Sequence, residues 1–287
     1  MKTRNNWAIL LALLTHLAYS QTNNDFASIE MEIKSVESVI RGTLLTPDST
    51  SRMPVIIVVP GSGSIERVQN IAMAKGLFQG IPTNVFVYDK RGVGESSGEY
   101  LSMNAETSKD RIPVRSQIVL DIVNHLYETP YIDPNKISLI GSSQGGWVSP
   151  LAASKSSRIS SVICVSGVAC TVGVSDFYSD IVKDLSIEEA TGKLESYTGV
   201  QGYDPEEALR NLEVPVLWIY GGKDKSNPTH YDLKILGKLR EDFDKNFTIH
   251  YYENYNHEMI DESTGAFGSE VVPNLRKWYS ESISAEL

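Results

Sequence analysis

Five short apolar runs, each closed by glycine, proline or aspartate, constrain the fold of this chain more than any other feature. They lie at 55–59, 85–88, 137–140, 162–165 and 216–220, and end at Pro60-Gly61, Asp89, Gly141, Gly167 and Gly221-Gly222. Runs of this kind suit parallel strands covered on both faces. Helical patterns fall between them, clearest at 114–127 and 147–154. Strands alternating with helices predict a mostly parallel sheet with right-handed crossovers and helices on both faces. Two alternating segments ahead of them, 29–34 and 39–45, read as half-buried antiparallel strands. In such sheets ligands sit just beyond the carboxyl ends of the strands. The chemistry is therefore sought where the apolar runs stop.

One interval breaks the rhythm. About forty residues, 170–212, separate two of the apolar strands, too many for a simple crossover. Phe177, Ile181 and Leu185 recur there at helical spacing beside Asp176, Asp180 and Asp184. The segment reads as a small helical cap over the strand ends, with an enlarged crossover helix and loop as the alternative.

The pattern G-x-S-x-G occurs twice, at Gly141-Ser142-Ser143-Gln144-Gly145 and at Gly94-Glu95-Ser96-Ser97-Gly98. The chemistry needs a serine on a sharp strand-to-helix turn, with glycines where side chains would collide. Ser143 follows an apolar strand at 136–140 and precedes the small-residue helix start Gly146-Trp147-Val148-Ser149. Ser96 follows a loop, and no helical pattern resumes until about Arg111. Ser143 is the expected nucleophile and Ser96 a loop serine.

A serine hydroxyl attacks well only when a base takes its proton and a third group orients that base. In this architecture the acid and then the histidine follow the serine. Of five histidines, His16 lies in the leader described below, His125 in a helix, His250 in a strand and His230 at a helix start. His257 sits in a loop after the final strand, where a base can swing over the strand ends. Asp224, in the turn Gly221-Gly222-Lys223-Asp224, is the expected orienting acid, with Asp232 as its competitor. The backbone N–H of Gln144 and one from Ser62, in the loop Pro60-Gly61-Ser62-Gly63, are the expected oxyanion donors. That loop lacks the Lys-Ser/Thr of a phosphate-binding loop.

These segments, with Tyr88-Asp89-Lys90-Arg91-Gly92-Val93-Gly94-Glu95-Ser96, resemble the α/β-hydrolase superfamily over about residues 39–279. The closer resemblance is to secreted bacterial serine hydrolases of the serine aminopeptidase-like and prolyl-oligopeptidase-like groups. It implies an α/β-hydrolase fold, and it implies that Asp89 and Arg91 brace a turn and do no chemistry. Pro60 departs from the histidine that many relatives place before the first loop glycine, which removes a side chain but no backbone donor.

Residues 1–20 differ in texture from the rest. Lys2 and Arg4 precede an apolar run at 7–14, and Ala18-Tyr19-Ser20 offers small residues for cleavage. This is the layout of a secretory signal, and the run is too short for a membrane span. Gln21, where a lipid-attached form would have cysteine, argues against a lipid anchor. The expected mature chain is a 21–287 hydrolase domain, exported to the periplasm or beyond. Losing Lys2 and Arg4, with no acidic residue, moves the net charge from −10 to −12. An acidic surface argues against nucleic acid as a partner. Two cysteines, Cys164 and Cys170, exclude a disulfide scaffold. A buried thiol at Cys164 is expected, with a local bridge to Cys170 as the alternative. No ligand-spaced cluster implies a metal, and no cofactor is expected. The leading expectation is a carboxylic ester hydrolase acting on a small acyl ester. Peptidase or amidase action and an inert binding protein are the rivals.

Overall fold

A computed structural model describes residues 26–284. The expected leader lies outside the described residues. Among those described, eight strands form one sheet: β1 (Ala27–Ser35), β2 (Ser38–Thr46), β3 (Met53–Val59), β4 (Asn84–Tyr88), β5 (Ile132–Ser142), β6 (Ile159–Val165), β7 (Val216–Gly221) and β8 (Phe247–Tyr252). Their order is β1-β2-β4-β3-β5-β6-β7-β8. β1 and β2 pair antiparallel, β2 pairs antiparallel with β4, and every later pairing is parallel. The helices are α1 (Arg67–Phe78), α2 (Ala105–Tyr127), α3 (Gly145–Ala153), α4 (Val172–Ile181), α5 (Ile187–Gly192), α6 (Glu206–Arg210), α7 (Thr229–Phe243) and α8 (Val271–Ser284).

The period of two along each strand sorts the core into two layers. Val55, Ile57 and Val59 of β3, with Phe86 and Tyr88 of β4 and Trp218 and Tyr220 of β7, pack with α2, α3 and α7. Their neighbours Ile56, Val58, Val85, Val87, Leu217 and Ile219 pack on the other face with Phe78 of α1 and Leu275 and Tyr279 of α8. Each side chain so buried contributes roughly 1.5–3 kcal/mol. Both faces are buried, which is why the strands read as continuous apolar runs and not as alternating ones.

One helix starts earlier than expected, and another has no counterpart among the expected helices. α2 begins at Ala105, not near Arg111 or Val114, because Asn104 and Thr107 form a reciprocal capping box there. The carboxylate of Asp176 also accepts from the Ala105 N–H at 3.0 Å. Pro113 lies inside this helix, so its early turns read as loop. α1 carries no strong periodic signal: only Ala74 and Phe78 are buried in it, and Val68 is exposed.

Between β6 and β7 lie α4, α5, a 3-10 turn (Leu194–Ser196) and α6. Ser186 and Glu189 cap α5 reciprocally. Phe177 stacks on Tyr197 with ring centroids 4.7 Å apart. Cys164 and Cys170 are buried free thiols, so no local bridge joins them.

Candidate active site

Ser143 occupies the turn from β5 into α3 with φ of 51°, a left-handed conformation that is strained for a side chain with a Cβ. The turn is pinned from both sides: its N–H donates to Val165 O at 3.0 Å, and its carbonyl accepts from Gly146 N–H at 2.8 Å. The flanking glycines are steric necessities. A Cβ on Gly141 would stand 2.3 Å from the carbonyl oxygen of Gly145, and one on Gly145 would stand 2.5 Å from that of Val59. This is the geometry of a nucleophile elbow.

Ser96 has different surroundings. Its buried hydroxyl donates to Asp89 O at 2.7 Å and accepts from Arg41 N–H at 2.9 Å. Asp89 is likewise spent on structure, accepting from the backbone N–H groups of Arg67 and Glu95 and pairing with the Arg67 guanidinium. Arg91 packs its side chain under Gly98.

Asp224 follows β7 and is fully buried. One carboxylate oxygen accepts from the N–H groups of Ser226 and Asn227 at 2.7 and 2.8 Å. The other lies 2.8 Å from Nδ1 of His257, in the loop after β8. Gly221 lets the two loops meet, since a Cβ there would stand 2.2 Å from Tyr255 O. Lys223 N–H closes the contact by donating to that same carbonyl at 2.9 Å. Burial, the largest influence on the His257 imidazole, lowers its pKa. The charge and hydrogen bond of Asp224 outweigh it, and the result lies above the ordinary histidine value. Of the Ser143, His257 and Asp224 trio, the carboxylate–imidazole pair is the hydrogen-bonded contact. Serine–histidine contacts are often long in a free enzyme and tighten on substrate.

Three residues that the sequence did not single out hold this pair. Ser166 donates its hydroxyl to the carbonyl of His257 at 2.7 Å. Asn227 donates its side-chain amide to Ser166 O at 2.6 Å. Tyr178 of α4 donates its hydroxyl to Asp224 O at 2.8 Å. No motif marks them, because their partners are backbone carbonyls from distant loops. Asp232, the competing acid, is a buried residue of α7 and accepts from Cys170 N–H at 2.9 Å, with no hydrogen bond to His257.

Ser62, Ser143 and Gln144 line one pocket, roofed by Ser175, Asp176, Ser179 and Val182 of the segment between β6 and β7. The loop carrying Ser62 is gripped by cations. Lys90 Nζ donates to Gly61 O at 2.8 Å and also to Gly63 O. Arg115 of α2 donates to the carbonyl oxygens of Pro60 and Gly61 and, at 3.0 Å, to Oε1 of Gln144. The sequence alone assigns neither Lys90 nor Arg115 a part in the site.

The sheet order, the elbow and the placement of an acid and a histidine on the last two loops define an α/β-hydrolase. Residues 78–283 match the prolyl oligopeptidase family, and the chain belongs to that family. It is therefore a serine hydrolase of the α/β type. Among curated proteins it is 23% identical to an uncharacterized 31.7 kDa protein of Escherichia coli, over 84% of this chain and 95% of that one. An esterase of Pyrococcus furiosus shares the fold with a TM-score of 0.67 at 16% identity, covering 92% of this chain and 95% of the esterase. The acylaminoacyl peptidase of Pyrococcus horikoshii gives the same TM-score and identity, over 95% of this chain but 44% of the peptidase.

Proposed function

We propose that this chain hydrolyses carboxylic esters through an acyl-enzyme on Ser143. His257 acts as general base and Asp224 orients it. The observation that carries the reading is the buried Asp224–His257 contact of 2.8 Å on two strand-end loops, with Ser143 held in an elbow at the end of another strand of the same sheet. Ser143 Oγ attacks the carbonyl carbon while its proton passes to His257 Nε2. The Asp224 carboxylate fixes the tautomer by accepting from Nδ1–H and stabilises the imidazolium. The N–H groups of Gln144 and Ser62 take the negative charge that develops on the carbonyl oxygen. The imidazolium then protonates the departing alcohol oxygen. Water, deprotonated by His257, releases the acid and restores Ser143.

The acidic residues near the pocket favour ester over aminopeptidase action. Asp176 is engaged with the start of α2, Asp180 pairs with Lys183, and Glu189 caps α5. Each of these three already has a partner within the protein. The second reading, a serine peptidase or amidase on the same trio, is favoured by the family match. We further propose that residues 1–20 direct export and are removed after Ser20. Among the described residues no helix is long and apolar enough to cross a membrane.

A fluorophosphonate probe should label Ser143, and matched esters should exceed amides in kcat/KM. Amides equal to esters would establish the peptidase reading, and an unlabelled, inactive protein would establish a binding role. Intact mass of exported protein should place the N-terminus at Gln21, and a retained Met1 would overturn cleavage.

A further inference from the structure

A second pocket lies on the other side of Gln144, behind the loop that carries Ser62, and it concentrates positive charge in an acidic protein. Lys90, Arg91, Arg111 and Arg115 line it, against one carboxylate, that of the exposed Glu99. Among the described residues, no carboxylate forms an ion pair with Lys90, Arg111 or Arg115, and Arg91 reaches only the exposed Glu37, at 3.8 Å. Arg111 and Arg115 stand four residues apart on α2, so they share a face as a like-charge pair that destabilises a helix. Lys90 is buried, and desolvation first, then Arg115, pushes its ammonium down to about 7. Burial also lowers Arg115. Cations buried without counter-charge are costly unless something compensates them.

Lys90 and Arg115 spend hydrogen bonds on the carbonyls of the Ser62 loop, which accounts for their position. That does not account for Arg111, which makes no hydrogen bond or ion pair among the described residues, or for Arg91, whose Nε is buried without a partner. The rest of the lining is apolar or aromatic, with Tyr88, Leu101, Met103 and Val114. Gln144, whose Oε1 accepts from Arg115, lines both pockets.

We propose that this pocket is a subsite for a carboxylate carried by the substrate, seated by Arg111 with Arg91 while an apolar spacer lies along Tyr88, Leu101 and Met103. The inference rests on the ester-hydrolase reading and narrows it to esters with a remote negative charge. A charge-assisted hydrogen bond from a guanidinium is strong enough to favour such a substrate by about tenfold or more.

The test uses the full mature chain and aryl esters in two series, with a carboxylate at the end of the acyl chain or on the aryl alcohol. Each is paired with its neutral methyl ester. The expected result is a kcat/KM ratio of charged to neutral substrate of about ten or more in one series. That ratio should fall about tenfold in Arg111→Gln and reverse in Arg111→Glu. Arg158→Gln, which removes an equal charge far from the pocket, should leave the ratio in place. A ratio near one in both series overturns the subsite, as does an equal loss on charged and neutral esters in Arg111→Gln. Octanoate distinguishes a substrate tail from a separate effector. Competitive inhibition supports the subsite, whereas non-competitive inhibition, or activation, overturns it. The ester-hydrolase reading fails separately, if the protein turns over neither series and Ser143 takes no fluorophosphonate.

Discussion

The hydroxyl of Ser166, at the end of β6, donates to the backbone carbonyl of His257 at 2.7 Å across ninety-one residues of chain. Ser166 itself has φ of 46°, and its own carbonyl accepts from Asn227, three residues after Asp224. The acid loop and the histidine loop are thus fastened to one strand end as well as to each other. Ser166→Ala removes that fastening and leaves every proposed catalytic group in place. The lost hydrogen bond is worth about 1 kcal/mol, so kcat should fall roughly fivefold with KM little changed. A KM rise at constant kcat would place Ser166 in substrate binding.

The pH profile should carry the mark of Asp224. A general base works as neutral imidazole, so activity falls as pH drops through its pKa. With the Asp224 charge holding His257 above the ordinary histidine value, the acid limb of kcat/KM should lie above 6.5. For stability, a raised histidine contributes fully below its unfolded pKa and loses that contribution as pH rises through the folded one. Asp224→Asn should lower kcat on the order of a thousandfold or more and shift the limb towards lower pH. An unmoved limb in this variant would remove Asp224 from the pair.

Two serines share the same motif and should separate cleanly. Ser143→Ala should abolish turnover and probe labelling while the melting temperature holds or rises, because the strained elbow loses only an oxygen. Ser96→Ala deletes one donor and one acceptor at a buried site. It should cost about 1–3 kcal/mol of stability yet keep full labelling per folded molecule. Labelling lost in Ser96→Ala and kept in Ser143→Ala would reverse the assignment.

Asp232 tests burial directly. Burial, reinforced by the nearby Asp224 charge, pushes its carboxyl up to about 8. Between the ordinary carboxylate range and about 8, the folded protein holds a proton that the unfolded chain releases, so stability falls as pH rises through that window. Asp232→Asn keeps the neutral form at every pH. Its melting temperature should drop less than the wild type's between pH 5 and pH 8. Parallel curves would mean that Asp232 is ionised when folded.

Several features were legible in the chain because they are local. The two-sided burial of β3 to β7 appears as apolar runs, and the strand-ending glycines and aspartate mark where loops carry chemistry. The elbow could be told from its decoy because a helix start follows Ser143 directly and Ser96 has none. The start of α2 lies six to nine residues earlier than the hydrophobic period indicates, because its first turns are polar and carry an internal proline, so only the capping box marks the true start.

The rest depends on contacts between segments far apart in sequence. That Asp224 and not Asp232 meets His257 is decided by how β7 and β8 pair and by a glycine that lets their loops touch. The segment between β6 and β7 could be recognised as extra chain, but which of its residues face Ser143 follows from packing. Phe177 turns to Tyr197, and Ser175, Ser179 and Val182 line the pocket. Nothing local in the sequence shows that Lys90 and Arg115 meet behind the Ser62 loop, and the fold places both there. A sequence pattern reports which residues are apolar and at what period, whereas the partner of a buried charge is chosen only when the sheet brings its loops together.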